Sequence, residues 1–188
     1  AEVTIVATPD IGWHFAEWLT KNSSTSENPL NITMDATKSY KAIFERNEYN
    51  LDLHVTSGGT ASKNPDKDKY FYEDEVTLTA TPDDGYRFVE WEISDNSTSS
   101  NNHYNLIIYE DKVATAVFIK TYVLDTNMIG NNEVSPSVES THTYDVDTVV
   151  TLTATPNGAY LFSYWELTGG STSSNNPYDL TINEDKVA

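Results

Sequence analysis

The feature that most constrains this chain is a phrase that occurs three times. It reads ATPDIGWHFAEW at residues 7–18, ATPDDGYRFVEW at 80–91 and ATPNGAYLFSYW at 154–165. The copies begin 73 and 74 residues apart, and their closing tryptophans keep the same two intervals. Self-similarity at such a period indicates a fold built from a repeated supersecondary unit.

The copies extend beyond this phrase. Serine- and asparagine-rich loops follow each one, and DATKSYKAIF at residues 35–44 aligns with YEDKVATAVF at 109–118. The chain therefore contains about two and a half copies of a unit of about 74 residues. We predict a partial repeat at 1–46, comprising the C-terminal part of a unit, a complete repeat at 47–120, and a repeat lacking its last strand at 121–188.

Apolar residues within a unit alternate with a period of two, which predicts strands. Val76, Leu78 and Ala80 alternate with threonines, and the other copies repeat the pattern. Clusters of Pro, Gly, Asn and Ser separate these runs, as turns require. The sequence predicts an all-β tandem array whose units each have five or six short strands with one buried face.

The aromatic residues of the phrase are retained in every copy while the residues between them vary. A domain of this size has a marginal core, and aromatic side chains fill it efficiently. We predict that they are core anchors, and that a bulge near Val89–Glu90 turns Trp91 onto the face of Phe88. An exposed tryptophan serving as a ligand platform is the alternative. The nine predicted anchors are Trp13, Phe15, Trp18, Tyr86, Phe88, Trp91, Tyr160, Phe162 and Trp165.

Composition excludes several classes of protein. The net charge of −18 argues against nucleic-acid partners and anionic membranes, because both bind Lys and Arg. The chain has no cysteine, so disulfides and thiolate sites are excluded. No apolar run is long enough for membrane insertion. The N-terminus carries no signal-like segment, and we expect the sequence to be a mature or excised segment.

The stretch VTLTATPDDGYRFVEW, an Asn-rich loop and NLIIYEDKVATAVF together resemble the divergent internalin-type B-repeat, the Listeria–Bacteroides repeat of bacterial surface proteins. The resemblance covers the whole chain. It departs from the family pattern where Glu17, Glu90 and Tyr164 replace a frequent glycine, and where Gly158 stands one position early. It implies small modules, β-grasp-like or a small sandwich, in tandem on an extracellular protein.

Residue types that carry chemistry do not recur at fixed positions. His14, His54, His103 and His142 fall at four different positions of the unit, which argues against a repeated catalytic or metal site. The acid pairs Asp66/Asp68 and Asp145/Asp147 are spaced like calcium ligands, but neither completes a calcium loop. We predict no enzyme activity and no cofactor, with calcium as the one ion that the acid pairs leave open.

A lysine recurs as Lys38, Lys112 and Lys186, and an asparagine as Asn28, Asn102 and Asn176. A covalent Lys–Asn cross-link would be one use for such a pairing. The lysines fall in turns that read EDK in the second and third copies, so we instead expect them to be solvated.

The family resemblance, together with these observations, implies a spacer segment of a surface protein or adhesin stalk at the bacterial cell surface. Short linkers near Arg46–Tyr49 and Lys120–Tyr122 would join the units into an elongated rod. The expected partners are neighbouring repeats or copies of the same chain, and an open edge would allow copies to complete each other's sheets in a filament. The alternative is an adhesive module that binds a glycan or a host protein through exposed aromatics and the Asn/Ser-rich loops.

Overall fold

The predicted alternation becomes strands in the computed structural model of the protein. The structure describes residues 1–127, 135–136, 141–156, 158 and 160–188, with the backbone alone at 135–136. This part is nearly all β-structure, which confirms the predicted fold class. Among the described residues, helix is limited to the 3₁₀ turn Thr168–Gly170, and no helix there has the length and hydropathy of a membrane span.

The N-terminal part of the chain forms two small sheets. Its strands are β1 (Glu2–Ile5), β2 (Trp13–Leu19), β3 (Ser24–Thr25), β4 (Leu30–Thr33) and β5 (Lys41–Arg46). In one sheet β1 pairs antiparallel with β4, and in the other β2 lies between β3 and β5. The strand that carries the aromatic phrase therefore has a partner on both sides.

The middle part contains the longest strands. They are β6 (Glu48–Tyr49), β7 (Leu51–Val55), β8 (Gly59–Asn64), β9 (Tyr70–Phe71), β10 (Asp74–Pro82), β11 (Tyr86–Ile93), β12 (Thr98–Ser99), β13 (His103–Ile108) and β14 (Lys112–Asp125). One sheet has the order β13-β10-β8. In another, β14 pairs with both β11 and β7, so the last strand organises this part of the chain.

The C-terminal part repeats several of these pairings in shorter form. Its strands are β15 (Ser135–Pro136), β16 (Thr141–Asp145), β17 (Thr148–Leu152), β18 (Ala154–Thr155), β19 (Trp165–Leu167), β20 (Ser171–Ser173), β21 (Tyr178–Ile182) and β22 (Lys186–Val187). β17 pairs antiparallel with β21, as β10 does with β13. Both β16 and β22 pair with β14.

Burial follows the predicted alternation most closely in the middle part. Val76, Leu78 and Ala80 are buried in β10, and the threonines between them are more exposed. In the first copy Val3 departs from this pattern and is 45% exposed. On the outer face, one cross-strand hydrogen bond recurs in all three copies. It joins Thr4 to Asn31 at 2.6 Å, Thr77 to Asn105 at 2.9 Å and Thr151 to Asp179 at 2.6 Å.

The first and last strands of a repeat lie side by side. Leu124 of β14 is opposite Lys186 of β22 in a parallel pair, so the third repeat, predicted to lack its last strand, contains the first two residues of that strand. In the middle repeat, the backbone N–H of Lys112 donates to the carbonyl of Asn50 at 2.9 Å. Parallel neighbours need a long crossover connection, so these contacts join the two ends of a repeat.

The chain divides into two compact units. The first comprises Ala1–His54, Ser62–Thr79 and Glu92–Thr115, and the second comprises Val55–Ala61, Ala80–Trp91 and Ala116–Ala188. The first unit contains a core cluster of Ala7, Trp18, Leu30 and Ile32. The second contains a cluster of Leu124, Val150, Leu152, Trp165, Leu180, Ile182 and Ala188. The repeat boundaries at 46/47 and 120/121 stay a prediction.

Candidate functional site: aromatic anchors and repeat junctions

The same aromatic pair forms in all three copies. The phenylalanine and the tryptophan of the repeated phrase lie with their ring centroids 5.3–5.7 Å apart and their planes tilted by 52–56°. Tilted rings at this distance attract each other in addition to burying apolar area. The pairs are Phe15–Trp18, Phe88–Trp91 and Phe162–Trp165.

A bulge allows this contact in the first copy. Phe15 is opposite Phe44 on β5, and Glu17 is opposite the next residue, Ile43, so Ala16 is the extra residue. Residues three apart on a regular strand face opposite sides, and one inserted residue returns Trp18 to the side of Phe15. Ala16 corresponds to Val89, where the sequence predicted the bulge of the middle copy.

Burial divides the nine predicted anchors into three groups. Trp18, Trp91 and Trp165 are at most 7% exposed. The three phenylalanines and Tyr86 are half-buried. Trp13 and Tyr160 are 43% and 45% exposed, so the expectation that they fill the interior is not met. Tyr86 differs from Trp13 because a glycine segment of the middle repeat, Gly58–Gly59, covers it.

The buried tryptophans act through volume rather than polarity. The Nε1 atoms of Trp18, Trp91 and Trp165 are buried and have no hydrogen-bond partner in the part of the chain that the structure describes. Leaving a buried donor unpaired costs about 1–3 kcal/mol. Each copy nevertheless has a tryptophan at this position, which indicates that the residue is needed for the volume that it fills.

The recurring lysine is not solvated in the middle repeat, contrary to the prediction from the EDK turn. The side chain of Lys112 is 6% exposed, and its Nζ lies 2.8 Å from both Asp95 and Glu110. Burial alone lowers the pKa of Lys112, but the hydrogen bonds to Asp95 and Glu110 outweigh burial and raise it. The hydrogen bonds from Lys112 and Ser97 hold the pKa of Asp95 well below its usual range. Amide formation needs a neutral amine, so this pairing favours an ion pair over a covalent cross-link.

The acids of the EDK turn have a separate role. Asp111 accepts a hydrogen bond from the backbone N–H of Asn50 at 2.7 Å, and Asp185 accepts one from Val123 at 2.9 Å. Asp111 and Asp185 occupy equivalent positions in the second and third repeats, and so do the donors Asn50 and Val123. The turn before the last strand thus fixes the start of the first strand in both repeats.

The second junction between repeats is a continuous strand rather than a linker, and at the first junction Asn47 alone separates β5 from β6. β14 runs without interruption through 120–122, where the sequence predicted a linker. The N–H of Asn47 donates to the carbonyl of Gly12, and the N–H of Thr121 donates to the carbonyl of Gly85, both at 2.8 Å. These pairs are counterparts, so one backbone contact recurs at both junctions.

At the first junction, side chains of the middle repeat pack on the turn of the first. Gly12 has φ of +78°, and a Cβ there would lie 2.6 Å from the Cβ of Tyr72. The guanidinium of Arg46 lies 4.3 Å from the ring centre of Phe71 and donates to the Tyr72 carbonyl at 3.3 Å. The recurring glycine was visible in the sequence, but Tyr72 and Arg46 carried no signal that linked them to it.

At the second junction an ion pair takes the place of the stacked ring. Arg87 donates from Nε and Nη2 to the two carboxylate oxygens of Asp145, the Nε contact being 2.6 Å. The hydrogen bond from Arg87 holds the pKa of Asp145 below its usual value. Asp145 belongs to an acid pair that is spaced like calcium ligands, and here its carboxylate pairs with a guanidinium.

Two cavities flank Trp13. One of 620 Å³ lies at the first junction, between Trp13, Asp10 and Ile11 on one side and Arg46, Tyr72 and Glu73 on the other. The smaller one, of 260 Å³, includes Phe44. All four histidines are exposed and lie apart in the sequence. Among the described residues, no group of three or more His, Asp or Glu is placed to hold a metal ion.

We expect Trp91→Ala to lower the free energy of unfolding by about 3–5 kcal/mol, because it opens a cavity beside Phe88. The exposed Trp13 is the matched control, and Trp13→Ala should change it by less than about 1 kcal/mol. Urea denaturation monitored by circular dichroism measures both. Equal effects of the two substitutions would contradict the assignment of Trp91 to the core.

We expect Asp95→Asn to weaken the acid dependence of stability. The folded-state pKa of Asp95 is depressed, so its stabilisation is complete above about pH 5 and is lost as the pH falls below about 4. Melting temperatures between pH 7 and pH 2 should therefore fall less steeply in Asp95→Asn than in the native chain. The exposed Asp84→Asn carries the same charge change and should retain the native slope.

We expect Gly12→Ala to destabilise the chain more than Gly85→Ala, by about 1–3 kcal/mol. Both glycines have φ of +78°, so both substitutions carry the same backbone strain. Only the new methyl at position 12 would meet another side chain, that of Tyr72. In a Tyr72→Gly background, which removes both the Cβ and the ring, the difference should disappear. Urea titration of the four variants tests this, and equal losses at the two glycines would argue against packing at the first junction.

Comparison with known families gives one result. The model of the divergent InlB B-repeat domain matches the chain three times, at residues 1–48, 49–121 and 122–188. Comparisons with curated proteins and with solved structures find no match. The repeat family and the all-β fold fit a non-enzymatic structural module, and the family indicates a repeat region of a surface protein. The chain therefore belongs to the divergent InlB B-repeat family, as its recurring sequence phrase predicted.

Proposed function

We propose that this chain is a spacer segment of an extracellular surface protein, in which each repeat docks on the next. The observation that carries the proposal is the contact that recurs at both junctions, Asn47 to Gly12 and Thr121 to Gly85. A stalk holds its tip at a distance only if its joints resist bending. A hydrogen-bonded, packed joint resists bending better than a solvated linker does.

The charge of the chain supports the same role. A net charge of −18 favours solubility and opposes collapse of repeats onto one another. At the second junction, by contrast, the opposite charges of Arg87 and Asp145 attract each other. The proposed role requires no cofactor, and its partners are neighbouring repeats and copies of the chain.

Distance measurement between spin labels tests the proposal. The chain lacks cysteine, so Lys21→Cys and Asn183→Cys, both at exposed positions, give two specific labels. For docked repeats we expect one narrow distance distribution by pulsed electron paramagnetic resonance. Adding Gly12→Ala should broaden it, and Gly85→Ala is the matched control. A broad distribution in the native chain would contradict the spacer function.

A second candidate is an adhesive module that binds a glycan. The exposed ring of Trp13 in the junction cavity favours it, because a sugar face stacks on an indole while Asp10, Glu73 and Arg46 offer hydrogen bonds. Titration with a glycan panel separates the candidates. A saturable change in the fluorescence of the native chain that is lost in Trp13→Phe would favour adhesion.

A further inference from the structure

The strand β13 of the middle repeat has one free edge. In the part of the chain that the structure describes, β13 pairs with β10 alone and forms one end of the sheet β13-β10-β8. The N–H of Glu73 donates to the carbonyl of Ile108 at 2.7 Å, so the backbone of Ile108 faces β10. Successive residues of an antiparallel strand direct their backbone groups to opposite sides, so those of Asn105 and Ile107 point away from β10. These groups can pair with another strand.

The equivalent strands of the other two repeats carry residues that oppose such pairing. Pro29 precedes β4 in the first copy, and Pro177 precedes β21 in the third, where the middle copy has His103. The third copy also has an acid, Asp179, at the position of Asn105. Proline and charged residues on an edge strand are devices that prevent pairing between molecules. The middle repeat has neither at these positions.

The exposed side of β13 is also more apolar than its counterparts. Ile107 is 44% exposed, at a position where the other copies have Thr33 and Thr181. Residues 96–109 contain no Asp, Glu, Lys or Arg, although these types make up 21% of the chain. The corresponding segments of the first and third copies include the acids Glu27 and Asp179. An uncharged segment of high β propensity without proline is the kind that pairs between molecules.

We propose that the β13 edges of two copies of this chain pair antiparallel, so that two sheets become one. Identical edges form a closed dimer about a two-fold axis, because each copy contributes the same residues. An axis at Asn105 aligns His103 of each copy with Ile107 of the other, which pairs all the outward-directed residues of the strand. The inference goes beyond the spacer function, because it assigns a surface through which separate molecules join.

The charges that flank the strand favour the antiparallel arrangement. Asp95 and Glu110 are the first charged residues on either side of the uncharged segment. With the axis at Asn105, Glu110 of one copy lies at the level of Ser100 of the other. A parallel pair would instead place the two Glu110 side chains next to each other, and like charges on neighbouring strands are destabilising. The whole of β13 can therefore pair without bringing acids of the two copies together.

Sedimentation equilibrium of the full chain tests the proposal. One pair of short strands is a small interface, so we expect a monomer–dimer equilibrium with a dissociation constant of about 10 µM to 1 mM. Salt at about 150 mM limits repulsion between copies of net charge −18 to about 8 Å. A native chain that stays monomeric up to about 1 mM would overturn the proposal.

Asn105→Asp tests whether this edge is the contact. The substitution places two carboxylates opposite each other at the axis and should weaken association about tenfold or more. The fold accepts an acid here, since Asp179 of the third copy accepts the equivalent hydrogen bond from Thr151. Asn31→Asp makes the same change at the equivalent position of the first repeat, and it should dimerise like the native chain. Equal effects of the two substitutions would show that net charge alone matters and would overturn the proposal.

A charge swap tests the position of the axis. Asn105→Lys should also weaken association, because two ammonium groups then meet at the axis. An equal mixture of Asn105→Asp and Asn105→Lys should recover dimers, since each pair then joins opposite charges. Native mass spectrometry distinguishes this mixed dimer from dimers of either variant. Recovery in the mixture supports the antiparallel pair centred on Asn105, and a mixture that stays as monomeric as its components would overturn it.

Discussion

The contact between the phenylalanine and the tryptophan of the repeated phrase is the interaction on which the rest of each repeat depends. A regular strand would point the two rings to opposite faces, and the extra residue at Ala16 of the first copy brings them together. The ring of Phe44, or of Phe118 in the middle copy, then packs on the same phenylalanine at about 6 Å. That third ring belongs to the last strand, so the aromatic cluster holds the end of the repeat to its centre.

The last strand of the middle repeat connects this aromatic cluster directly to the next repeat. Phe118 lies in β14, and the same strand continues to Asp125 at the start of the following repeat. Where β14 passes from the middle repeat to the next, the N–H of Thr121 donates to the carbonyl of Gly85, in the turn that precedes Tyr86. Core packing and the junction are therefore two parts of one continuous structure. A substitution that loosens the rings is expected to affect the joint as well.

Contacts that recur differ in kind from contacts that do not. The aromatic pair, the Thr–Asn or Thr–Asp hydrogen bond and the junction contact occur in more than one copy, and they involve apolar rings, short polar side chains or backbone. The ionic contacts vary: Lys112 has two carboxylate partners, whereas Lys186 pairs with Glu184 and has Gly169 at the position of Asp95. Ion pairs add modest stability and tolerate change, which explains why they diverge between copies.

The class of fold, the repeat and the family could be predicted from the sequence, and the bulge observed at Ala16 lies at the position equivalent to Val89, where a bulge was predicted in the middle copy. These follow from local periodicity and from comparing three copies, which separate the retained aromatics from the variable residues between them. The sequence did not determine the state of Lys112, because the carboxylate of Asp95 comes from another turn, 17 residues away. Nor did it separate Trp18 from the exposed Trp13, since both are retained aromatics and only the packing of distant segments distinguishes them. Both junctions were predicted as linkers. Whether a strand continues through a junction depends on which neighbours supply its hydrogen bonds, and the local sequence does not show those neighbours. Tertiary structure alone decided these points, because burial and pairing depend on contacts between residues far apart in the chain.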